Sequence, residues 1–149
     1  MRVLLTDAFG NVGSGVRREI AGRGHQLRGF DLPSRNNRRA AKKSGLDVIW
    51  GDLGERTEVA RAVSGVDVVI HLGAIIPPTS EREPALAERV NVVGTRNLIG
   101  ACQEADHPVQ IIFASSLALF GPTQHLPPPR TLDDPIVTTD RLHPPQGAL

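Results

Sequence analysis

Arg2 to Thr6 forms a β-branched and aliphatic run that stops at Asp7, and apolar residues then recur four apart at Val12, Val16 and Ile20. The first pattern predicts a buried strand and the second a helix with one apolar face. Gly22 and Gly24 end that helix as C-terminal glycines do, and residues 25–30 read as a second strand closing on Asp31. The alternation repeats with a polar helix over 38–44, a third strand over 48–50, a helix over 55–64 and an almost continuous apolar fourth strand over 66–72. Strands that are apolar throughout are covered on both faces, the mark of a parallel sheet. The longest helix is expected over 83–104, with Leu86, Val90, Val93, Leu98 and Ile99 as its apolar face, although Gly94 and Gly100 lower its propensity. A fifth strand follows over 109–114. Strand and helix units joined by short loops require right-handed crossovers, so the pattern predicts an α/β fold, a doubly wound parallel sheet of order 3-2-1-4-5.

The alternation stops at Gly121, after which seven of the twelve prolines lie. Proline removes backbone donors and disfavours helix. The expected organisation is a domain over 1–121, with its sheet truncated after the fifth strand, and a proline-rich irregular tail over 122–149.

Composition narrows the function classes. With 149 residues, 40% hydrophobic and 22% charged, the chain has the make-up of one ordinary globular domain, able to bury about 70% of its unfolded surface without staples. The single cysteine, Cys102, forbids an internal disulfide and suits a reducing, cytoplasmic setting. Seventeen basic residues against sixteen acidic give a formal charge of +1, so nucleic acid is not an expected partner. The apolar run near the N-terminus is too short for a secretory signal, and the most apolar window, 66–76, falls far below the roughly 20 residues that span a bilayer; no membrane partner is expected. The five histidines show no zinc spacing, and no metal site is predicted.

The candidate chemistry begins after the first strand, where Thr6-Asp7-Ala8-Phe9-Gly10-Asn11-Val12-Gly13 runs straight into a helix. Backbone N–H groups at such a helix start attract a pyrophosphate, and the glycines allow close approach. Asp31 ends the next strand 21 residues after Gly10, the spacing of a carboxylate that takes an adenosine ribose 2′-OH. That argues for NAD as cofactor, with NADP kept open by Arg28 and Arg35.

Together with Gly51-Asp52-Leu53, His71-Leu72-Gly73-Ala74, Asn91-Val92-Val93-Gly94-Thr95 and the segment Ala114-Ser115-Ser116 through Phe120-Gly121, the loop makes the chain resemble the extended short-chain dehydrogenase/reductase family, in particular its NAD-dependent epimerase/dehydratase members. The resemblance implies an NAD(P)-binding Rossmann-like half followed by a substrate-binding part. It places Asp52 and Leu53 beside the adenine and Leu72, Gly73 and Ala74 under the nicotinamide half, and makes Asn91 the tie between its helix and the strands. The family loop is Gly-x-x-Gly-x-x-Gly; Gly10 and Gly13 keep the second and third glycines, and Asp7 stands at the first. A carboxylate there, at about 4 Å from a phosphate and an effective dielectric near 20, repels it by about 4 kcal/mol, which weakens binding roughly a thousandfold. Outward rotation of Asp7, neutralisation by Arg17 or Arg18, or protonation would relieve it.

The resemblance also puts Ser116 at the catalytic serine position, with Ser115 as the near alternative. Family chemistry uses a tyrosine as acid/base with a lysine four residues on to lower its pKa. The sequence contains no tyrosine: Gln146 stands at that position, and Leu149 falls one residue before the lysine's. The expectation is therefore a dinucleotide-binding protein of epimerase/dehydratase type acting on nucleotide sugars or another small carbinol, or descended from such enzymes. The alternatives are a catalytically silent NAD(P)-binding module and a nucleotide-free structural domain. An apolar fifth strand left at a sheet edge predicts a homodimer.

Overall fold

The computed structural model describes residues 1–116, 120, 131 and 133. Five strands, β1 (Arg2–Thr6), β2 (Gln26–Asp31), β3 (Asp47–Trp50), β4 (Val68–His71) and β5 (Gln110–Phe113), form one parallel sheet in the order β3-β2-β1-β4-β5, as the sequence pattern predicts. Central β1 pairs with β2 from Arg2↔Gln26 to Thr6↔Phe30 and with β4 from Val3↔Val68 to Leu5↔Ile70. Val3, Leu4 and Leu5 are buried on both sides of this strand, which is why its sequence carries no polar alternation.

Helices α1 (Asn11–Ala21), α2 (Arg35–Ser44) and α3 (Arg56–Val63) connect the first four strands. The polar helix α2 has no buried residue and is defined by its ends. The Ser34 hydroxyl accepts the Asn37 N–H at 3.1 Å, and Gly45 closes the helix with φ of 65°, a left-handed turn suited to glycine. These caps start α2 three residues before the span that periodicity predicts. In α1 the expected apolar stripe is incomplete. Val16 and Ile20 are half-buried, but Val12 is 62% exposed because it lies in the first turn, at the mouth of the loop.

The long helix expected over 83–104 is divided. After a single turn, α4 (Thr79–Arg82), come α5 (Pro84–Ala87), a π-helical stretch (Glu88–Val93) and α6 (Gly94–Gln103). A π-turn takes an extra residue and rotates the phase of the side chains that follow. Leu98 is therefore fully buried while Val93 and Ile99 are exposed, against the single apolar face expected.

The main core lies on the sheet face covered by α3 and α6, where Leu4, Phe30, Val59, Val63, Val69 and Leu98 form one cluster. Each such side chain contributes about 1.5–3 kcal/mol by leaving water. On the edge strand β5, Ile112 and Phe113 are 49% and 59% exposed. Residues Met1–Ala114 make one compact unit and Ser115–Leu149 a second. The proline-rich tail expected from the sequence lies almost wholly outside the described residues.

Candidate functional site

Because all five strands run the same way, the segments that follow β1, β2, β3 and β4 emerge at one rim of the sheet. There Asp7, Asp31, Asp52, Leu53, Gly73 and Ala74 line a cavity of about 170 Å³, whose apolar wall includes Phe30, Leu86 and Val90. The fold thus brings together residues separated by more than sixty positions in sequence.

The loop from β1 to α1 is tightly built. Gly10 is the residue before the helix, and α1 begins at Asn11 with no side-chain cap and no acidic residue in its first turn. The amides of Asn11, Val12 and Gly13 have no intrahelical acceptor, so an anion is the natural partner for them. Asn11 and Val12 are exposed and Gly13 is buried. A Cβ on Gly13 would stand 2.0 Å from the Asp7 carbonyl oxygen, a backbone contact that only glycine permits.

Asp7 has φ of 53°, the left-handed region, which Asp tolerates better than most residues. Its side chain does not turn away. The Oδ2 atom lies 2.0 Å from the place a Cβ on Gly10 would take, so the carboxyl group fills the space that the glycine leaves. Burial, and secondarily the neighbouring Asp31 charge, push its pKa up to about 6. Neither Arg17 nor Arg18 pairs with it among the described residues; the Arg17 Nε and Nη1 atoms are buried with no acceptor. Of the three sources of relief that the sequence leaves open, only protonation has support in this geometry.

Asp31 is already engaged. Its Oδ2 accepts the Phe9 N–H at 2.9 Å, and its Oδ1 accepts the Leu32 N–H at 2.8 Å and an Asn37 Nδ2–H at 2.9 Å. Burial raises its pKa, opposed by the Phe9 and Leu32 backbone bonds. Arg28, a candidate for softening the cofactor preference, points elsewhere: it binds Asp47 and the Ala62 and Ser64 carbonyls.

Asp52 is held as firmly. Its Oδ1 accepts the Gly54 N–H at 2.8 Å and its Oδ2 pairs with Arg89, which also reaches Glu55 at 3.2 Å. The adjacent Leu53 is buried, and its carbonyl accepts an Asn97 Nδ2–H at 3.0 Å.

A directed hydrogen-bond chain supports the floor of the site. Thr6 Oγ1 accepts the Leu72 and Gly73 N–H groups at 3.0 and 2.9 Å, so its own hydrogen goes to His71 Nδ1 at 2.8 Å. His71 then carries its hydrogen on Nε2 and donates to Thr95 Oγ1 at 3.1 Å; Thr95 donates to the Asn91 carbonyl at 2.7 Å. The Asn91 side chain binds Ile75 at both backbone groups, accepting its N–H at 2.7 Å and donating to its oxygen at 2.9 Å. Burial lowers the His71 pKa, consistent with a neutral ring whose two nitrogens are both used.

Several participants carry no sequence signal. Arg89 repeats no motif, and nothing in the pattern joins Phe9 to Trp50. Yet their rings stack with centroids 5.9 Å apart, flanked by Arg17 over Phe9 at 5.1 Å and Arg38 over Trp50 at 5.2 Å. Ser116 is exposed and belongs to the second compact unit; Gln146 lies outside the described residues. Among the described residues there is no cluster of three metal-ligating side chains, and no helix is long and apolar enough to cross a membrane.

Comparison with known proteins gives the same outline. The family model of the NAD dependent epimerase/dehydratase family matches residues 3–143. A 3-beta-hydroxysteroid dehydrogenase of Mycolicibacterium neoaurum is 33% identical over 130 residues, 80% of this chain and 33% of the relative. The chain spans about a third of the length of the curated relatives it matches. Among solved structures, a short-chain dehydrogenase/reductase superfamily protein from Agrobacterium tumefaciens with bound NAD superposes with a TM-score of 0.77 and 29% identity, over 92% of this chain and 39% of that one. A UDP-glucose-4-epimerase from Stenotrophomonas maltophila, with NAD and formylated UDP-arabinopyranose, gives a TM-score of 0.71 at 27% identity, over 85% of this chain and 40% of its own.

Proposed function

The chain belongs to the NAD dependent epimerase/dehydratase family, and on that premise we propose that it binds NAD at the carboxyl rim of its sheet. The observation that carries this reading is the uncapped start of α1, pressed against the end of β1 at Gly13, which leaves first-turn amides for a pyrophosphate. The amides of Asn11, Val12 and Gly13 would hold that group, Asp31 the adenosine ribose, Asp52 and Leu53 the adenine, and Leu72, Gly73 and Ala74 the nicotinamide half. Asp31 favours NAD over NADP, because its carboxylate would repel a 2′-phosphate. Bound NAD supplies a hydride acceptor, and Ser116 is the residue assigned to hold a substrate hydroxyl. We take that substrate to be a carbinol of a nucleotide sugar, in line with the bound ligand of the epimerase neighbour.

A second reading, a catalytically silent dinucleotide module, is favoured by two facts: Asp7 in the anion loop, and a sequence without tyrosine. Titration of the chain with NAD, read by calorimetry and by the fluorescence of Trp50, tests binding. Saturation by the wild type upholds it; saturation by Asp7→Gly alone means a dinucleotide module disabled by one carboxylate, and silence of both leaves a structural domain. Reduction of NAD on addition of a UDP-sugar separates the enzyme from the silent module, and reduction by a 3β-hydroxysteroid instead would replace the sugar by a steroid. The exposed Ile112 and Phe113 on β5 support self-association of this chain, which sedimentation at increasing concentration tests.

A further inference from the structure

Charge is divided unevenly along the chain. Residues 1–46 hold ten basic residues and three acidic ones, a net +7, whereas residues 47–149 hold seven and thirteen, a net −6. The near-neutral total hides this division. Part of the excess converges on a cavity of about 760 Å³ between α1 and the amino ends of β1 to β3, lined by Arg2, Arg17, Arg18, His25 and Arg28 with Asp47 as its one carboxylate. Arg28 is fixed there by the Ala62 and Ser64 carbonyls and pairs with Asp47 at 3.4 Å, the Arg17 guanidinium reaches over the Phe9 ring, and Arg18 is exposed on α1. Four arginines and a histidine against one carboxylate leave the lining of this concavity with an excess of positive charge, which a multiply charged anion would balance.

We propose that this cavity is a binding site for a small phosphorylated molecule carrying two or more phosphate groups, separate from the candidate dinucleotide site. Arginine presents planar donor forks that match phosphate oxygens in pairs. The volume lies within the roughly 300–1,000 Å³ of small-molecule sites, and its concave form favours a compact ligand over an extended chain.

The test is calorimetric titration of the full chain with sodium tripolyphosphate. Arg18 is exposed on α1 and holds no partner among the described residues, so Arg18→Glu leaves the fold intact; Arg96→Glu makes the same charge change on α6, across the sheet. One molecule should bind per chain, at least tenfold more weakly in Arg18→Glu, within twofold of wild type in Arg96→Glu, and unaffected by NAD. Absence of binding, equal loss in both variants, or displacement by NAD overturns the proposal. So does affinity for an oligonucleotide that grows with its length, which would make the face an extended polyanion surface. The proposal does not rest on the dinucleotide reading: a chain indifferent to NAD that binds tripolyphosphate through Arg18 upholds it.

Discussion

The carboxyl group of Asp7 and the missing side chain of Gly10 share one volume: Asp7 Oδ2 lies 2.0 Å from the position of a Cβ on Gly10. The two positions are therefore energetically coupled. Gly10→Ala should destabilise the wild type by about 1–3 kcal/mol, as overpacking does, and destabilise the Asp7→Gly background by well under half as much. Urea denaturation of the two single variants and the double variant measures this coupling, and strict additivity would contradict the geometry.

The same carboxyl group faces the helix start offered to a pyrophosphate. Asp7→Asn keeps the side chain's shape and its tolerance of a left-handed backbone while removing the charge. It should tighten NAD binding by about ten- to a thousandfold, the upper bound being the full repulsion at close range. Asp7→Gly should match it. If Asp7→Gly alone improves binding, bulk rather than charge is the obstacle.

Acidity should act in the same direction. Asp7 is protonated in the folded chain up to a pKa of about 6, above the ordinary 3.8, so the folded state holds this proton more tightly than the unfolded one. Its contribution to stability is present below pH 3.8 and is lost as pH rises through about 6. NAD affinity of the wild type should fall across that upper interval, and the affinity of Asp7→Asn should not. Burial of His71 acts oppositely: its lowered pKa means stability is lost as pH falls below 6.5. Thermal melts of Asp7→Asn and of His71→Gln across pH 4–8, about the range between the ordinary carboxylate and imidazole pKa values, separate the two slopes.

Asn91 holds Ile75 by two hydrogen bonds. Asn91→Ala should destabilise the chain by about 2–3 kcal/mol, since both partners lie on half-buried backbone. Asn91→Asp keeps the acceptor but sets a carboxylate against the Ile75 oxygen, and should be no better. Denaturation midpoints for both variants equal to wild type would show that the tie carries no stability.

Thr6→Val removes a hydroxyl that accepts two amides and donates to His71 while preserving volume. A loss of about 2–4 kcal/mol is expected from the three orphaned groups. Proton NMR of the His71 ring supplies a second readout: the Nε2-protonated form that the hydrogen-bond chain requires in the wild type should lose its dominance in Thr6→Val.

The sheet was readable in the sequence because β1 and β4 are short, nearly unbroken apolar runs, while β2, which carries Gln26 and Arg28, and β3 are marked by the turn residues around them. Spacing likewise placed the loop and Asp31. Helical periodicity misled where a residue is inserted: over 84–103 it assumes a constant turn, and the π-helical stretch at Glu88–Val93 changes the turn without changing composition. The partners of the site were illegible for another reason. Arg89 beside Asp52, and Phe9 against Trp50, are contacts between elements distant in sequence, and their side chains would read the same on any exposed surface. Asp7 was visible as a departure, but only the structure shows its carboxyl group turned over Gly10.

The central position of β1 has a temporal meaning. Thr6 waits for His71, 65 residues further along the chain, before the β4 side of its strand can close. At roughly 5–20 residues per second of synthesis, Val3, Leu4 and Leu5 remain unpaired on that flank for several seconds after they are made. Nascent chains should therefore resist protease at β1 only once β4 has been synthesised and freed, and the late, non-local closure of β1 with β4 should set the pace of refolding.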